Sequence, residues 1–206
     1  MKTAPALIQP SGDPQPRARP RLPVIVLGCL ALLVLMCASP GVLFPAFAFT
    51  LRGLVQNFRV EGRTMSPAIQ SGDYLLVSLK SYWLTDPRRG DIVVFKAWDS
   101  DKDFIKRVIG IPGDVIEIKK GGILIDGVAL EEPYVDQATA DELGPITLRE
   151  DEYYVLGDNR GASNDSRHYG PLPRERIVGK AWIIYSPEER RGFVHHHRFD
   201  REFRGN

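Results

Sequence analysis

The chain has 206 residues, of which 43% are hydrophobic, so it is long enough for one domain of ordinary size and one or two further segments. Its 27 basic and 26 acidic side chains give a formal net charge of +1. This balance argues against nucleic acid as a partner, because nucleic-acid-binding domains carry a strongly basic face. The two cysteines, Cys29 and Cys37, lie near the start of the chain, so no disulfide framework is expected in the rest.

The first 21 residues predict a disordered cytoplasmic tail, because they combine five prolines with polar and basic side chains. Residues 22–51 follow without a single charged side chain, between Arg21 and Arg52. About 20 apolar residues span the hydrocarbon of a bilayer as a helix. The run therefore predicts one transmembrane or interfacial anchor in a lipid bilayer, with a kink or an end at Pro40-Gly41.

Two other interpretations of residues 22–51 stay open. The basic start, the apolar run and Ala46-Phe47-Ala48 are also features of a cleavable signal peptide, although the long proline-rich leader counts against one. A buried core helix is the weakest interpretation, because no soluble domain needs so long a charge-free segment. Four basic residues precede the run and three follow it closely, so the positive-inside rule gives little indication of its orientation.

Residues 52–187 predict a mainly β domain. Short runs of β-branched and other apolar residues alternate with Gly, Pro and Asp, and no long stretch has helical periodicity. Hairpin turns are predicted at Lys119-Lys120-Gly121-Gly122 and at Asp126-Gly127. The predicted strands are Tyr74–Leu79, Asp91–Phe95, Phe104–Ile111, Val115–Ile118, Ile123–Ile125, Tyr153–Leu156 and Ile177–Tyr185.

Residues 188–206 predict a flexible tail in which Arg alternates with acidic residues. His195-His196-His197 lies within it, and its three imidazoles are potential metal ligands. Adjacent positions of regular structure do not face one ion, and no Cys or acidic residue stands at ligand spacing. We therefore predict a solvated tail, no metal site and no cofactor.

Lys106 is the residue whose surroundings suggest chemistry. His168 is the only histidine of the predicted domain, so a Ser-His-Asp site is hard to build and a hydrolase would need another base. A lysine becomes a base near neutral pH when burial among apolar groups lowers its pKa. Lys106 lies in the apolar run Phe104–Ile109, with Arg107 directed to the opposite face of the strand. A strand lysine that points to water is the commoner alternative.

Four blocks of sequence resemble those of the type I signal peptidases. In chain order they are Val60–Ile69 with Ser71–Tyr74, Arg89–Phe95, Lys106–Asp114 and Gly157–Arg167. The resemblance spans residues 54–187 and implies the β-fold catalytic domain of that family, in a compact version because the connection from Asp114 to Tyr153 is short. The related self-cleaving repressors have a DNA-binding domain, which residues 1–21 cannot form.

The resemblance also implies an activity and a location. It implies a membrane-bound endopeptidase that removes N-terminal signal peptides from exported preproteins, after small residues of the Ala-X-Ala type. The N-terminus would be cytoplasmic, and the catalytic domain would lie outside the plasma membrane, held by a single span at residues 22–51.

By position, the resemblance places a hydroxyl/lysine dyad at Thr64 and Lys106. In the family a serine attacks the peptide carbonyl and a neutral lysine takes its proton, whereas threonine stands at that position here. Three interpretations stay open: Thr64 is the nucleophile despite its methyl group, Ser66 replaces it, or the site is inactive and the protein is a scaffold that binds preproteins or a partner. Ser66 would lie about 6.5 Å further along an extended strand, too far for the same lysine to serve both hydroxyls.

Further roles follow from the same resemblance. Ser163 would orient the lysine, and Asp165 and Arg167 would brace the site by charge-assisted hydrogen bonds. Because Gly62 offers no hydroxyl, the oxyanion would depend on backbone N–H groups, including that of Thr64. Apolar substrate pockets would be lined by Phe58, Val60, Met65, Ile69, Leu75, Val94, Phe104 and Ile105. A polar turn and an ordinary core are the alternatives for these two sets of residues.

Overall fold

The computed structural model of the protein describes residues 53–199. The predicted tail at 1–21, the predicted anchor at 22–51 and the last seven residues lie outside the described residues. Within 53–199, no helix has the length and apolar character needed to cross a membrane.

The described part of the chain is mainly β, which confirms the fold class predicted for residues 52–187. One helical turn, α1, covers Ser166–Tyr169, and short 3-10 turns lie at Arg160–Ala162, Arg174–Arg176 and Glu188–Arg190. The strands are β1 (Val55–Arg59), β2 (Tyr74–Ser78), β3 (Ile92–Lys96), β4 (Asp103–Gly110), β5 (Val115–Lys119), β6 (Gly122–Ile125), β7 (Val128–Ala129), β8 (Leu143–Thr147), β9 (Glu152–Leu156), β10 (Leu172–Pro173), β11 (Ile177–Ser186) and β12 (Gly192–Phe193).

All seven predicted strands are confirmed, with ends that differ by one residue at most. The two hairpin turns are confirmed as well, since both central residues of each have positive φ: Lys120 and Gly121 in the first, Asp126 and Gly127 in the second. The sequence pattern missed β1, β7, β8, β10 and β12. In β1, Gln56 and Asn57 are exposed, and such a strand shows little apolar alternation.

The strands form two antiparallel sheets. The larger sheet has the order β1-β2-β11-β3-β4-β9-β10, and β12 pairs with β11. The smaller sheet has the order β7-β6-β5-β8 and fills the connection between residues 114 and 153. The larger sheet brings β1 and β4 to the candidate site, because β4 holds the candidate base and β1 leads into the turn that holds the candidate nucleophile.

The prediction of a flexible C-terminal tail is wrong for residues 188–199. Val194 and Phe199 are buried in the hydrophobic core. Arg190 donates hydrogen bonds to the Asp73 carboxylate, and Arg198 forms an ion pair with Asp91. An Arg-rich composition resembles a solvated tail, but the acidic partners lie far away in sequence, and only the folded chain brings them together.

Candidate active site

Thr64 lies in the turn between β1 and β2 and contacts the segment that follows β9. The Thr64 carbonyl accepts a hydrogen bond from the Asn159 backbone N–H at 3.1 Å. A Cβ atom at Gly157 would lie within 3.0 Å of that carbonyl and of the Ser163 hydroxyl. Only glycine therefore allows the two segments to approach this closely.

Lys106 lies on β4 and reaches Thr64 across the sheet. Its Nζ atom is 3.2 Å from Thr64 Oγ1 and 2.9 Å from the Ile105 carbonyl oxygen, and the residue is only 3% exposed. Burial lowers the pKa of the Lys106 ammonium to about 8, although the charges of Asp165 and Asp158 act to raise it. The alternative of a solvent-facing lysine is therefore wrong, and the side chain is suited to take a proton from the threonine hydroxyl.

Arg107 lies on the opposite face of β4, as the strand alternation predicts. It donates two hydrogen bonds to Asp158, at 2.8 and 2.7 Å, and both side chains are fully buried. Asp158 directly precedes Asn159, whose N–H holds Thr64. The buried ion pair thus links β4, next to Lys106, to the segment whose Asn159 N–H binds the Thr64 carbonyl. The role of Asp158 was not predicted, because the spacing of Arg107 and Asp158 in the sequence gives no sign that they are partners.

Asp165 and Arg167 lie next to the dyad and bind each other. Arg167 donates to both carboxylate oxygens of Asp165, at 2.8 and 2.9 Å, and Asp165 also accepts from the Gly157 backbone N–H at 3.0 Å. Burial acts to raise the pKa of the Asp165 carboxyl, but the hydrogen bonds from Arg167 and Gly157 hold that pKa below its usual value. Arg167 also donates to the Ser163 carbonyl. The pair thus binds the backbone at Gly157 and at Ser163, which fixes the segment between these two residues.

Ser163 is close to the dyad but does not make the predicted contact with the lysine. Its hydroxyl is buried and acts on the Asp165 carboxyl, whose pKa it helps to lower. The hydrogen bonds of Lys106 go to Thr64 and to the Ile105 carbonyl instead. Ser163 and the Thr64 carbonyl both lie against Gly157, but no hydrogen bond among the described residues joins the Ser163 side chain to Lys106.

A groove of about 560 Å³ opens beside the dyad. Six of the predicted pocket residues line it, namely Phe58, Val60, Leu75, Val94, Phe104 and Ile105, together with Thr64 and Lys106. Met65 and Ile69 do not, and this part of the prediction is wrong: each is 1% exposed and packs in the core cluster that also contains Leu75 and Val94.

The groove also has a polar rim that the sequence analysis missed. Its residues are Arg59, Glu61, Lys102, Asp103 and Asn164, and Ala162 also lines the groove. An apolar pattern identifies only the floor of a pocket, whereas rim residues are ordinary polar surface positions until the fold brings them beside the dyad. Of the described residues, no group of three or more His, Cys, Asp or Glu is arranged to hold a metal ion.

Comparisons with known proteins identify relatives of the chain. A family model described as signal peptidase, peptidase S26, matches residues 31–186. The chain is 39% identical over 154 residues to a probable signal peptidase I-2 of Synechocystis sp., with 71% of each chain covered. It is 38% identical over 154 residues to signal peptidase I of Leptolyngbya laminosa, with 70% of this chain and 76% of the other covered. A crystal structure of a signal peptidase I from Enterococcus faecalis V583 is 29% identical, covers 47% of this chain and 97% of its own, and gives a TM-score of 0.41.

Proposed function

Because the chain belongs to the signal peptidase family, peptidase S26, we propose that it is a membrane-bound endopeptidase that removes N-terminal signal peptides from exported preproteins after small residues. The observation that carries the proposal is the pair of Lys106 Nζ and Thr64 Oγ1, 3.2 Å apart in a buried setting at the side of an apolar groove. A nucleophile within hydrogen-bond distance of a base is the arrangement that acyl transfer needs.

The proposed reaction begins when neutral Lys106 takes the proton of the Thr64 hydroxyl as Oγ1 attacks the scissile carbonyl carbon. The carbonyl oxygen becomes an oxyanion, and the tetrahedral intermediate collapses with loss of the C–N bond. The Lys106 ammonium then donates its proton to the departing amine, which is the new N-terminus of the mature protein. Water, deprotonated by Lys106, hydrolyses the remaining ester on Thr64 and restores both side chains.

The backbone N–H of Thr64 is our candidate for stabilising the oxyanion. Within residues 53–199, no backbone carbonyl accepts a hydrogen bond from it, so the group is available to a ligand. Gly62, two residues earlier, has no side chain, and the space that a Cβ there would occupy is open. An N–H group fixed before the reaction stabilises developing charge without further rearrangement.

Thr64 is a better candidate nucleophile than Ser66. Of the hydroxyl groups in the described part of the chain, that of Thr64 is the one within hydrogen-bond distance of Lys106 Nζ. The backbone N–H of Ser66 donates to the Arg63 carbonyl at 3.2 Å, so residues 63–66 form a turn and not an extended strand. The interpretation as a non-catalytic scaffold gains no support, since the matching relatives are named as signal peptidases and the threonine keeps its hydroxyl beside the base.

The open edge of β4 supports an extended substrate. β3 pairs with β4 along Asp103–Arg107, but β9 pairs with it only from Arg107 onward. Residues 103–106 therefore have one backbone edge without a described strand, next to the groove. A peptide can add to such an edge by main-chain hydrogen bonds, while its alternate side chains enter pockets. The floor formed by Leu75 and Val94 leaves shallow apolar pockets that suit small side chains.

We propose residues 22–51 as the membrane anchor, with the N-terminus in the cytoplasm and the catalytic domain outside the plasma membrane. The support is the charge-free run, which is long enough for one span and ends shortly before β1. Such an anchor would tether the catalytic domain to the membrane from which a translocated preprotein emerges.

The experiment uses the full chain in detergent with a preprotein that carries an Ala-X-Ala cleavage site, and the products are identified by mass spectrometry. We expect a single cut after the second alanine with the wild type and none with Thr64→Ala. Thr147→Ala, which removes an exposed hydroxyl on β8, is the matched control and should cleave like the wild type. Cleavage by Thr64→Ala at the wild-type rate would contradict the assignment of the nucleophile, and no cleavage by the wild type would contradict the function.

A further inference from the structure

The segment of residues 194–199, here called the strap, crosses the larger sheet behind the dyad. It includes His195-His196-His197, which the catalytic site does not use. Val194 donates its backbone N–H to the Trp182 carbonyl on β11, and Phe199 is buried in the core at the other end. Both ends of the strap are therefore fixed, and the three histidines lie between them.

His196 connects the strap to two neighbouring strands. Its Nδ1 atom lies 3.0 Å from the backbone nitrogen of Ile92 and accepts that N–H, and its Nε2 atom lies 3.0 Å from the Ala181 carbonyl. These bonds need a neutral ring with the proton on Nε2, and burial, with Lys180 nearby, lowers the pKa of His196 to about 4. The ring therefore stays neutral under physiological conditions and links β3 to β11.

His195 and His197 place the strap in contact with Arg107 and with the ring packed on it. Arg107 donates to the His195 carbonyl at 3.3 Å and to the Gly90 carbonyl at 3.0 Å. A Cβ atom at Gly90 would overlap the His197 carbonyl, so the strap lies directly on the turn before β3. The guanidinium is also stacked 4.1 Å from the Tyr134 ring, which in turn contacts the His197 ring.

We propose that the strap positions the catalytic base: by holding Arg107 and the start of β3 from the face of the sheet opposite the dyad, it keeps Lys106 within reach of Thr64. Arg107 follows Lys106 directly, and Ile92 pairs with Arg107 in the ladder between β3 and β4. A strap that fixes both residues fixes the backbone from which the lysine projects. The inference rests on the proposed function of the dyad, and His196 is a positioning residue within it.

This arrangement has a consequence for rate that simple packing does not have. Displacement of a catalytic group by about 1 Å lowers a rate on the order of a hundredfold, while distant substrate contacts are unaffected. The substrate groove includes no residue of the strap, and Val194, which shares a core cluster with Val60, Leu75 and Val94 of the groove, is left unchanged in the variants below. Loosening the strap should therefore lower kcat and leave KM nearly unchanged.

The test compares two adjacent histidines in the full chain in detergent. His196→Ala removes both ring hydrogen bonds, whereas His195→Ala removes an exposed ring that contacts only the His197 ring among the described aromatic pairs and leaves the carbonyl that Arg107 uses. We expect His196→Ala to lower kcat about tenfold with KM within about twofold of the wild type, and His195→Ala to match the wild type. His196→Gln, which can keep one of the two bonds, should restore part of the loss.

A second readout does not depend on peptidase activity. The pH dependence of amine labelling at Lys106, followed by mass spectrometry with Lys119 as an internal reference, gives the pKa of the lysine directly. We expect His196→Ala to shift the labelling midpoint of Lys106 to higher pH, because a looser β4 admits water, and His195→Ala to leave it unchanged. If His196→Ala does not fold, His196→Gln and His195→Gln provide the same comparison.

The two readouts separate failure of the strap from failure of the proposed function. An unchanged kcat and an unchanged Lys106 midpoint in a folded His196→Ala protein would overturn the positioning role. A change in KM alone would overturn it as well. If the wild type cleaves no preprotein, the proposed function fails, and the labelling midpoints alone decide whether the strap positions Lys106.

Discussion

Lys106 and Arg107 are adjacent basic residues on one strand and both are buried, but their hydrogen-bond partners are of different kinds. Arg107 receives a carboxylate partner and two hydrogen bonds with it, so its charge is balanced. Lys106 receives a hydroxyl and a carbonyl, and the nearest acids, Asp158 and Asp165, act on it without a hydrogen bond. As a result, one face of β4 holds a permanent cation and the other holds a lysine whose pKa is lowered to about 8.

The difference shows how a strand can separate structure from chemistry by alternation alone. A buried charge with a bidentate partner fixes geometry, whereas a buried amine without a carboxylate partner becomes a base. Because adjacent side chains point to opposite faces, Arg107 can fix the backbone of Lys106 without adding charge to the site. Substitutions on the two faces should therefore have separable effects.

The largest effect is expected from removing the base. Lys106→Met should lower kcat/KM for an Ala-X-Ala preprotein by at least about a thousandfold, because neither attack nor proton return to the amine can proceed. Lys119→Met, on the exposed β5–β6 hairpin, is the control and should retain wild-type activity. Cleavage by Lys106→Met within tenfold of the wild type would mean that another group is the base.

The second largest effect is expected on the opposite face. Asp158→Asn should reduce the free energy of unfolding by about 3–5 kcal/mol, because it leaves the Arg107 guanidinium buried without its countercharge. Denaturant unfolding of the full chain in detergent measures this change. Asp141→Asn, which alters a more exposed partner of Arg167, should cost much less. Equal losses of unfolding free energy in the two variants would show that the buried Arg107–Asp158 pair contributes no more to stability than the exposed pair.

A smaller effect of opposite sign is expected on the stability of the Lys106→Met protein. The lysine pKa is near 10.5 when the chain is unfolded and about 8 when folded, so at pH 7 folding carries the cost of a buried ammonium. Removing it should stabilise the protein by about 1–3 kcal/mol at pH 7, once the loss of its hydrogen bonds is included. The unfolded state binds the extra proton between pH 8 and 10.5, so wild-type stability should rise across that window and the advantage of the variant should shrink. An advantage that does not change between pH 7 and 10 would refute the lowered pKa.

The smallest effect is expected from restoring serine at the nucleophile position. Thr64→Ser should raise kcat by up to about tenfold, because the threonine methyl group restricts χ1 and crowds the path of attack. Rapid-mixing measurements of single-turnover cleavage separate this step from product release. A lower rate for serine would show instead that the site is adapted to threonine.

The sequence predicted those parts of the molecule in which local pattern and tertiary environment agree. Strands such as β3 and β4 have continuous apolar runs, and the hairpin at Lys119-Lys120-Gly121-Gly122 has the residues its turn requires, so both were predictable. The positions of Thr64 and Lys106 came from the resemblance to a family. Lys106 by itself was weak evidence, because one lysine in an apolar strand does not show whether it is buried.

The missed features depend on contacts between segments distant in sequence. Asp158 partners Arg107 across 51 residues, and the strap histidines contact β3 across about a hundred residues. Composition predicted a loose tail at residues 188–206 because nothing local indicates such partners. Met65 and Ile69 were assigned to the substrate pockets for a similar reason: an apolar residue near the nucleophile lines a groove or fills the core according to the path of the backbone, which the pattern does not contain.

The pH dependence of kcat/KM for preprotein cleavage tests the central claim most directly, because it reports the protonation state of the base in the free enzyme. If neutral Lys106 takes the proton from Thr64, the rate should rise about tenfold per pH unit at acidic pH and become level above a pKa of about 8. The acidic limb should coincide with the labelling midpoint of Lys106. A rate that is constant from pH 6 to 10, or that keeps rising to the ordinary lysine pKa near 10.5, would contradict the account.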